Sequence, residues 1–236
     1  MDDVLKKLRE EIKAADRPEN RINYQRFFKE KLQFPEGLKV PVLRKISKAV
    51  FKEIRSCSKK EIFQICEELL ASQEQYSRFF AFTWAGNLEK RFEKQDLGLL
   101  ERWLKDHVDS WASCDHLCAS LGMLLIRYPE LSLKRARWAK SKNMWLRRAS
   151  AVALIIPVRR GKMLDDVFRT AEILLQDEED LVQKGYGWML KEAGNHFFEE
   201  VLDFVMAHKD RMPRTALRYA IEKWPEDKRR KAMTKD

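Results

Sequence analysis

The chain is poor in the residues that break regular structure. Its 236 residues hold 8 glycines and 7 prolines, against usual shares of about 7% and 5%. That excludes a collagenous or linker-like chain and argues against a turn-rich β-sandwich. Long apolar runs are also missing. The stretch Ala151 to Val158 is 8 residues and contains Pro157, where a membrane span needs roughly 18. The start, Met-Asp-Asp-Val-Leu-Lys-Lys-Leu, is charged from residue 2 and does not read as a secretory signal. The four cysteines (Cys57, Cys66, Cys114, Cys118) form no secreted framework, so reduced thiols and a cytoplasmic location are expected. Neither G-x-x-x-x-G-K-S/T nor G-x-G-x-x-G occurs, so no nucleotide cofactor is expected. Cys114, His116 and Cys118 sit close in sequence, but both cysteines fall on a core stripe. No second C-x-x-C or H-x-x-x-H completes a tetrahedral set, so no metal is expected. His107, His196 and His208 pair with no nucleophile.

What is present is charge and helical periodicity. Lys and Arg number 47 against 37 Asp and Glu, a net charge of +10. The isoelectric point is near 9.4, a surplus that points to a polyanionic partner. The apolar period predicts helices over 2–15, 20–33, 40–55, 59–72, 75–91, 96–107, 111–127, 131–141, 144–156, 163–176, 179–194, 197–208 and 213–224. No segment alternates with period 2 long enough to predict a strand. No flexible linker divides the chain, so residues 1–236 are expected to form one domain, with 225–236 a frayed basic tail.

Weak repetition adds detail. The segments around Trp145-Leu-Arg-Arg-Ala149, Leu181-Val-Gln-Lys-Gly185 and Met212-Pro-Arg-Thr-Ala216 each carry an apolar anchor and a small residue four positions later. The small residues lie 36 and then 31 apart. Paired helices at that spacing predict an all-α solenoid of HEAT-like repeats, curved, with a basic concave face.

The charge is unevenly placed. From Leu131 to Leu164 there is no acidic residue. Ten cations fall there: Lys134, Arg135, Arg137, Lys140, Lys142, Arg147, Arg148, Arg159, Arg160 and Lys162. Such a stretch reads either as a solvated face or, with Trp138 and Trp145 interleaved, as a phosphate-tracking surface. Further cations follow at Arg211, Arg214 and Arg218.

Helical-wheel positions single out a few side chains. In 179–194, Lys184, Trp188 and Lys191 share a face away from the core stripe. In 111–127 the stripe is Cys114, Leu117, Cys118, Leu121 and Leu125, with Trp111 and Asp115 stacked at its border. Arg148 lies off the stripe of its own helix and is equivalent to Lys184 in the next repeat. Two accounts of Asp115 stand side by side. It can be a salt-bridge partner of Arg148 or a first-turn acid favoured by the helix dipole, or a carboxylate that meets positive charge developing on a sugar. Trp111 and Trp188 can be core residues or walls beside that charge.

These motifs, Trp111-Ala-Ser-Cys-Asp115, Asn143-Met-Trp-Leu-Arg-Arg148-Ala, Gln183-Lys-Gly-Tyr-Gly-Trp188-Met-Leu-Lys191-Glu and Arg214-Thr-Ala-Leu-Arg218-Tyr-Ala, resemble in order and spacing the AlkD-type DNA glycosylases. These are HEAT-like alkylpurine excision enzymes. The resemblance is specific mainly over residues 100–222. It reaches the N-terminal third only through Gly37-Leu-Lys-Val-Pro41 and Arg44. It implies cleavage of the N-glycosidic bond of cationic N3- and N7-alkylated purines in duplex DNA, with the lesion left in the helix. Asp115 would be the catalytic carboxylate, Trp111 and Trp188 the aromatic walls, and Arg148 a backbone grip. Lys39, Arg147, Arg159, Arg160, Lys162, Lys184, Lys191, Arg214 and Arg218 would serve DNA binding. Metal and cofactor are not needed, and a monomer is expected. The chain departs from the family pattern at Ser110 and Ala112, where a second Trp and a further Asp are common, and at Phe28 and Lys39. The rival readings are a DNA-binding relative that excises nothing and a HEAT-type protein scaffold.

Overall fold

The computed structural model describes residues 2–29 and 31–234. The chain packs as two compact units, Met1–Arg91 and Phe92–Asp236. Among the described residues the architecture is all-α apart from one small ribbon. No helix among the described residues is long and apolar enough to cross a membrane.

In the first unit α1 (Asp2–Ala15) packs on α2 (Val40–Ile54), and α3 (Lys59–Ser72) on α4 (Ser77–Gly86). The start of α3 is set locally. Ser58 Oγ accepts from the Glu61 backbone N–H at 3.2 Å, and Glu61 Oε2 accepts from the Ser58 N–H at 2.7 Å, a reciprocal cap. The core is Leu43, Val50, Ile62, Phe80 and Trp84. The Trp84 Nε1–H is satisfied by Ser47 Oγ at 3.0 Å.

Among the described residues the helix expected over 20–33 does not form; residue 30 lies outside them. The strands β1 (Arg21–Asn23) and β2 (Glu36–Leu38) pair antiparallel there, with short 3-10 turns at Pro18–Asn20 and Gln25–Phe27. Asparagine side chains compete with helical bonding. Asn20 Nδ2 donates to the Ala15 carbonyl at 2.8 Å, and Asn23 Oδ1 accepts from the Gln25 N–H at 2.8 Å. The Leu38 N–H donates to Tyr76 Oη at 2.7 Å. A Cβ on Gly37 would lie 2.6 Å from that hydroxyl, so glycine is required for the approach.

The second unit contains α5 (Asp96–His107), α6 (Trp111–Arg127), α7 (Ser132–Ala136), α8 (Met144–Val152), α9 (Ile155–Val158), α10 (Leu164–Leu174), α11 (Asp180–Ala193), α12 (Phe198–His208), α13 (Arg214–Ala220) and α14 (Glu226–Met233). Helices α6, α8, α11 and α13 stack in that order, each on the next. The small residues of the sequence repeat sit in this stack: Ala149 on α8, Gly185 on α11 and Ala216 on α13, all buried. The helix expected over 144–156 is broken after Val152. Pro157 has no N–H to continue the ladder, and its ring crowds the preceding turn. The segment 131–141 is likewise α7 followed by a 3-10 turn at Arg137–Lys140.

Fraying was expected over 225–236; residues 226–233 form a helix, and 235–236 lie outside the described residues. Helix α14 buries Ala232. Arg214 Nη1 donates to the Met233 carbonyl at 2.8 Å, and Lys209 Nζ to that of Thr234 at 2.9 Å.

Candidate functional site

The site is built from three stacked helices of the second unit. Helix α6 begins at Trp111 because Ser110 caps it: Ser110 Oγ accepts from the Ser113 N–H at 3.3 Å, and Ser113 Oγ from the Ser110 N–H at 3.2 Å. Ser110, a departure from the resembled pattern, therefore has a structural task. The cap fixes the first turn, and Asp115 follows Trp111 by four residues on the same side. Cys114, Leu117, Cys118 and Leu121 are fully or almost fully buried, as the stripe predicts. Burial pushes the Cys118 thiol well above its ordinary value, so it is an inert core group.

Asp115 and Arg148 form a bidentate pair. Arg148 Nε donates to Asp115 Oδ1 at 2.9 Å and Nη2 to Oδ2 at 2.8 Å. The remaining Nη1 donates to the Leu181 carbonyl of α11. Arg148 is 5% exposed, whereas the Asp115 side chain keeps 19%. Burial pushes the Asp115 carboxyl above its ordinary value, and the Arg148 bonds and charge pull it back. For Arg148 burial opposes the cation, but the paired carboxylate outweighs it. The guanidinium lies close against Gly185: a Cβ there would meet Arg148 Cγ at 3.3 Å and Nη1 at 3.4 Å. Trp188 follows Gly185 by three residues, one turn further along α11.

Trp188 is half-buried and does not lie between two lysines in the sense the wheel suggests. Lys184 pairs with Asp180 at 2.7 Å and Lys191 with Glu222 at 2.8 Å. The indole Nε1–H instead donates to Glu192 Oε1 at 3.1 Å, and the Arg159 guanidinium carbon stands 5.8 Å from the ring centroid. Arg159 Nε donates to Glu192 Oε2 at 2.8 Å. The sequence does not single out Glu192, although it stands one turn after Trp188.

The acid-free window is not acid-free in space. Arg135 is wholly buried, bonded to the Ser150 carbonyl and to Thr170 Oγ1, with Asp166 at 3.8 Å. Burial lowers its pKa to about 10. Arg147 is tied to Asp177 at 2.6 Å and to the Ser141 carbonyl at 3.0 Å. With Arg148 on Asp115 and Arg159 on Glu192, four of the ten cations meet carboxylates from outside the window. Trp138 is 3% exposed and belongs to the core, not to a nucleic-acid face. Lys134, Arg137, Lys140, Lys142, Arg160 and Lys162 are exposed. Arg218 is exposed too, and Arg214 is exposed beyond its bond to Met233. Lys39 belongs to the first unit, where Nζ donates to the Glu19 carbonyl at 2.7 Å.

Comparison with known proteins identifies the fold and the family. The solved "Predicted DNA alkylation repair enzyme from Enterococcus faecalis" superposes with a TM-score of 0.73 at 17% identity, over 80% of this chain and 88% of that one. The smu.31 protein from Streptococcus mutans UA159 superposes with a TM-score of 0.55 at 16% identity, over 81% of this chain and 92% of that one. No curated protein matches the chain. The profile of the DNA alkylation repair enzymes matches residues 8–224. By that match, over nearly its whole length, the chain belongs to the DNA alkylation repair enzyme family.

Proposed function

We propose that this family member is a monofunctional DNA glycosylase that hydrolyses the N-glycosidic bond of cationic N3- and N7-alkylated purines in duplex DNA, with the lesion left in the helix. The observation that carries the reading is the largely buried but still accessible Asp115 carboxylate, held at both oxygens by Arg148 one turn after Trp111 in α6. An alkylated purine already bears positive charge and departs as a neutral base, so no general acid is required. As the bond breaks, the charge moves to the sugar as an oxocarbenium-like ion. A carboxylate about 4 Å away contributes about 4 kcal/mol of attraction at an effective dielectric near 20. That interaction exists only once the charge has moved, which is the condition for catalysis. Asp115 keeps spare lone pairs after binding Arg148, enough to orient a water at the opposite face of the sugar. Trp111 and Trp188 add cation-attracting ring faces, each worth roughly 0.5–2 kcal/mol when desolvated.

The ion pair also removes a difficulty. A lone carboxylate in a DNA-binding surface would repel phosphates. Paired with Arg148 it is neutral at a distance and negative only at contact range, where the sugar would sit. Exposed Arg160, Lys162 and Arg218 supply phosphate attraction.

The burial of Arg148 behind the pair favours a second reading, a DNA-binding relative in which Asp115–Arg148 only ties α6 to α8 and α11. Release of 7-methylguanine and 3-methyladenine from methylated duplex DNA separates the two. The parent is expected to release both, and Asp115→Asn to be slower by about 10³-fold, the worth of the lost attraction, while still binding DNA. Binding without release by the parent would leave the second reading.

A further inference from the structure

We propose that Glu192 is a positioning residue that fixes the Trp188 indole and the Arg159 guanidinium as one unit; this rests on the glycosylase reading of Trp188 and goes beyond it. Glu192 is 6% exposed, and a glutamate is almost never that deep unless paired. Its carboxylate gathers donors from three places in the stack. Trp188 Nε1 reaches Oε1 at 3.1 Å from the preceding turn of α11. Asn195 Nδ2 reaches Oε2 at 3.2 Å from the turn that follows α11. Arg159 Nε reaches Oε2 at 2.8 Å from the end of α9. Lys223 Nζ, beyond α13, stands 3.8 Å from Oε1. The Arg159 bond holds the carboxyl below its ordinary value despite burial, so the group stays ionised.

A tie between helices would explain burial, but not which groups are tied. The indole has one polar handle, its N–H. Holding that edge to a buried anion sets the rotation of the ring. The same anion holds Arg159, whose guanidinium carbon lies over the ring at 5.8 Å. Bonding the N–H to a carboxylate also polarises the indole and makes its face a better partner for a cation. Arg159 stays 48% exposed on its side chain, a fixed positive group that a phosphate can approach beside that face. A sugar acquiring positive charge at Trp188 would therefore meet a ring of set orientation.

The test is single-turnover release of 7-methylguanine from methylated duplex DNA by the full chain, with DNA affinity measured in parallel. Glu192→Gln is expected to slow release roughly 2- to 30-fold, the range of one cation–π contact, and to leave the dissociation constant for DNA within about 2-fold. In a Trp188→Phe background the same substitution is expected to add less than about 2-fold. Glu192→Asp, which keeps the charge but draws it back by one methylene, serves if the glutamine variant does not fold and is expected to slow release in the same range. Indole N–H exchange read by ¹⁵N NMR, with the Trp188 resonance identified by its loss in Trp188→Phe, is expected to show a protected Trp188 proton that Glu192→Gln exposes. Release at the parental rate by folded Glu192→Gln would overturn the inference and leave the glycosylase reading standing. Equal slowing with and without Trp188 would reduce Glu192 to a structural tie. A parent that releases no base would sink the glycosylase reading, and this inference with it.

Discussion

Replacing Arg148 by methionine removes the partner of a largely buried carboxylate while roughly keeping side-chain volume. Three bonds disappear: two to Asp115 at 2.9 and 2.8 Å, and one to the Leu181 carbonyl. Breaking a buried pair from one side costs about 3–5 kcal/mol, because the abandoned charge stays desolvated. Asp115 retains 19% exposure on its side chain, so water repays part of that, and about 2–3 kcal/mol is expected. That is roughly a 30- to 150-fold loss in the folding constant. The double variant Asp115→Asn with Arg148→Met leaves no stranded charge and is expected to recover at least about 1 kcal/mol relative to Arg148→Met alone. Urea unfolding at neutral pH, with all four species, gives the coupling energy directly. A single-variant loss below about 1 kcal/mol, or a double variant no more stable than Arg148→Met, would refute the claim that the pair is desolvated and mutually dependent. The same substitution removes the groups that pull the Asp115 pKa down. The acid limb of base release is therefore expected to move to higher pH in whatever activity remains.

A close approach between stacked helices is equally testable. A Cβ at Gly187 would sit 2.6 Å from the Ala216 carbonyl and 2.7 Å from Tyr219 Cβ, so Gly187→Ala is expected to lower stability by about 1–3 kcal/mol in urea unfolding. Exposed and engaged cations should separate by salt. Arg160→Gln and Lys162→Gln are each expected to reduce the slope of log affinity for DNA against log salt by up to about 1 without changing stability. Arg147→Gln, whose parent residue is held by Asp177, is expected to destabilise the fold and leave the slope nearly unchanged. The two buried carboxylates should respond to acid in opposite senses. Glu192 is held below its ordinary value of 4.5, so its contribution is full above that value and is lost as the pH falls through the native pKa. Asp115 lies above its ordinary value of 3.8, so stability falls slightly as the pH rises from 3.8 through the native pKa. Unfolding midpoints at a series of acid pH values should show a shallower acid loss in Glu192→Gln than in the parent.

The division between sequence and tertiary structure follows the range of the forces involved. Helices α1, α3, α5 and α6 begin and end where periodicity and local signals put them, because a cap such as Ser58 or Ser110 acts within four residues of itself. The small residues Ala149, Gly185 and Ala216 announced the stack, since close helix packing needs them at the repeat spacing. The Asp115–Arg148 pair was among the alternatives the residues offered. Segment 20–33 misled for the same local reason: its apolar spacing is helical, but its asparagines bond their own neighbourhood, residues 21–23 pair with strand β2, and the Tyr24 and Gln25 N–H groups donate to the Pro35 carbonyl. Charge was the least legible feature. A run of ten cations without an acid looks like a free basic surface when read along the chain. In the fold Asp115, Asp166 and Glu192 arrive from neighbouring helices and Asp177 from the turn between α10 and α11, and together they take four of them. Such pairs join residues about one repeat apart, and only stacking brings them within reach. The residue types capable of the chemistry are thus written in the sequence, but which cations remain for a partner, and which carboxylate holds Trp188, depend on how the helices pack.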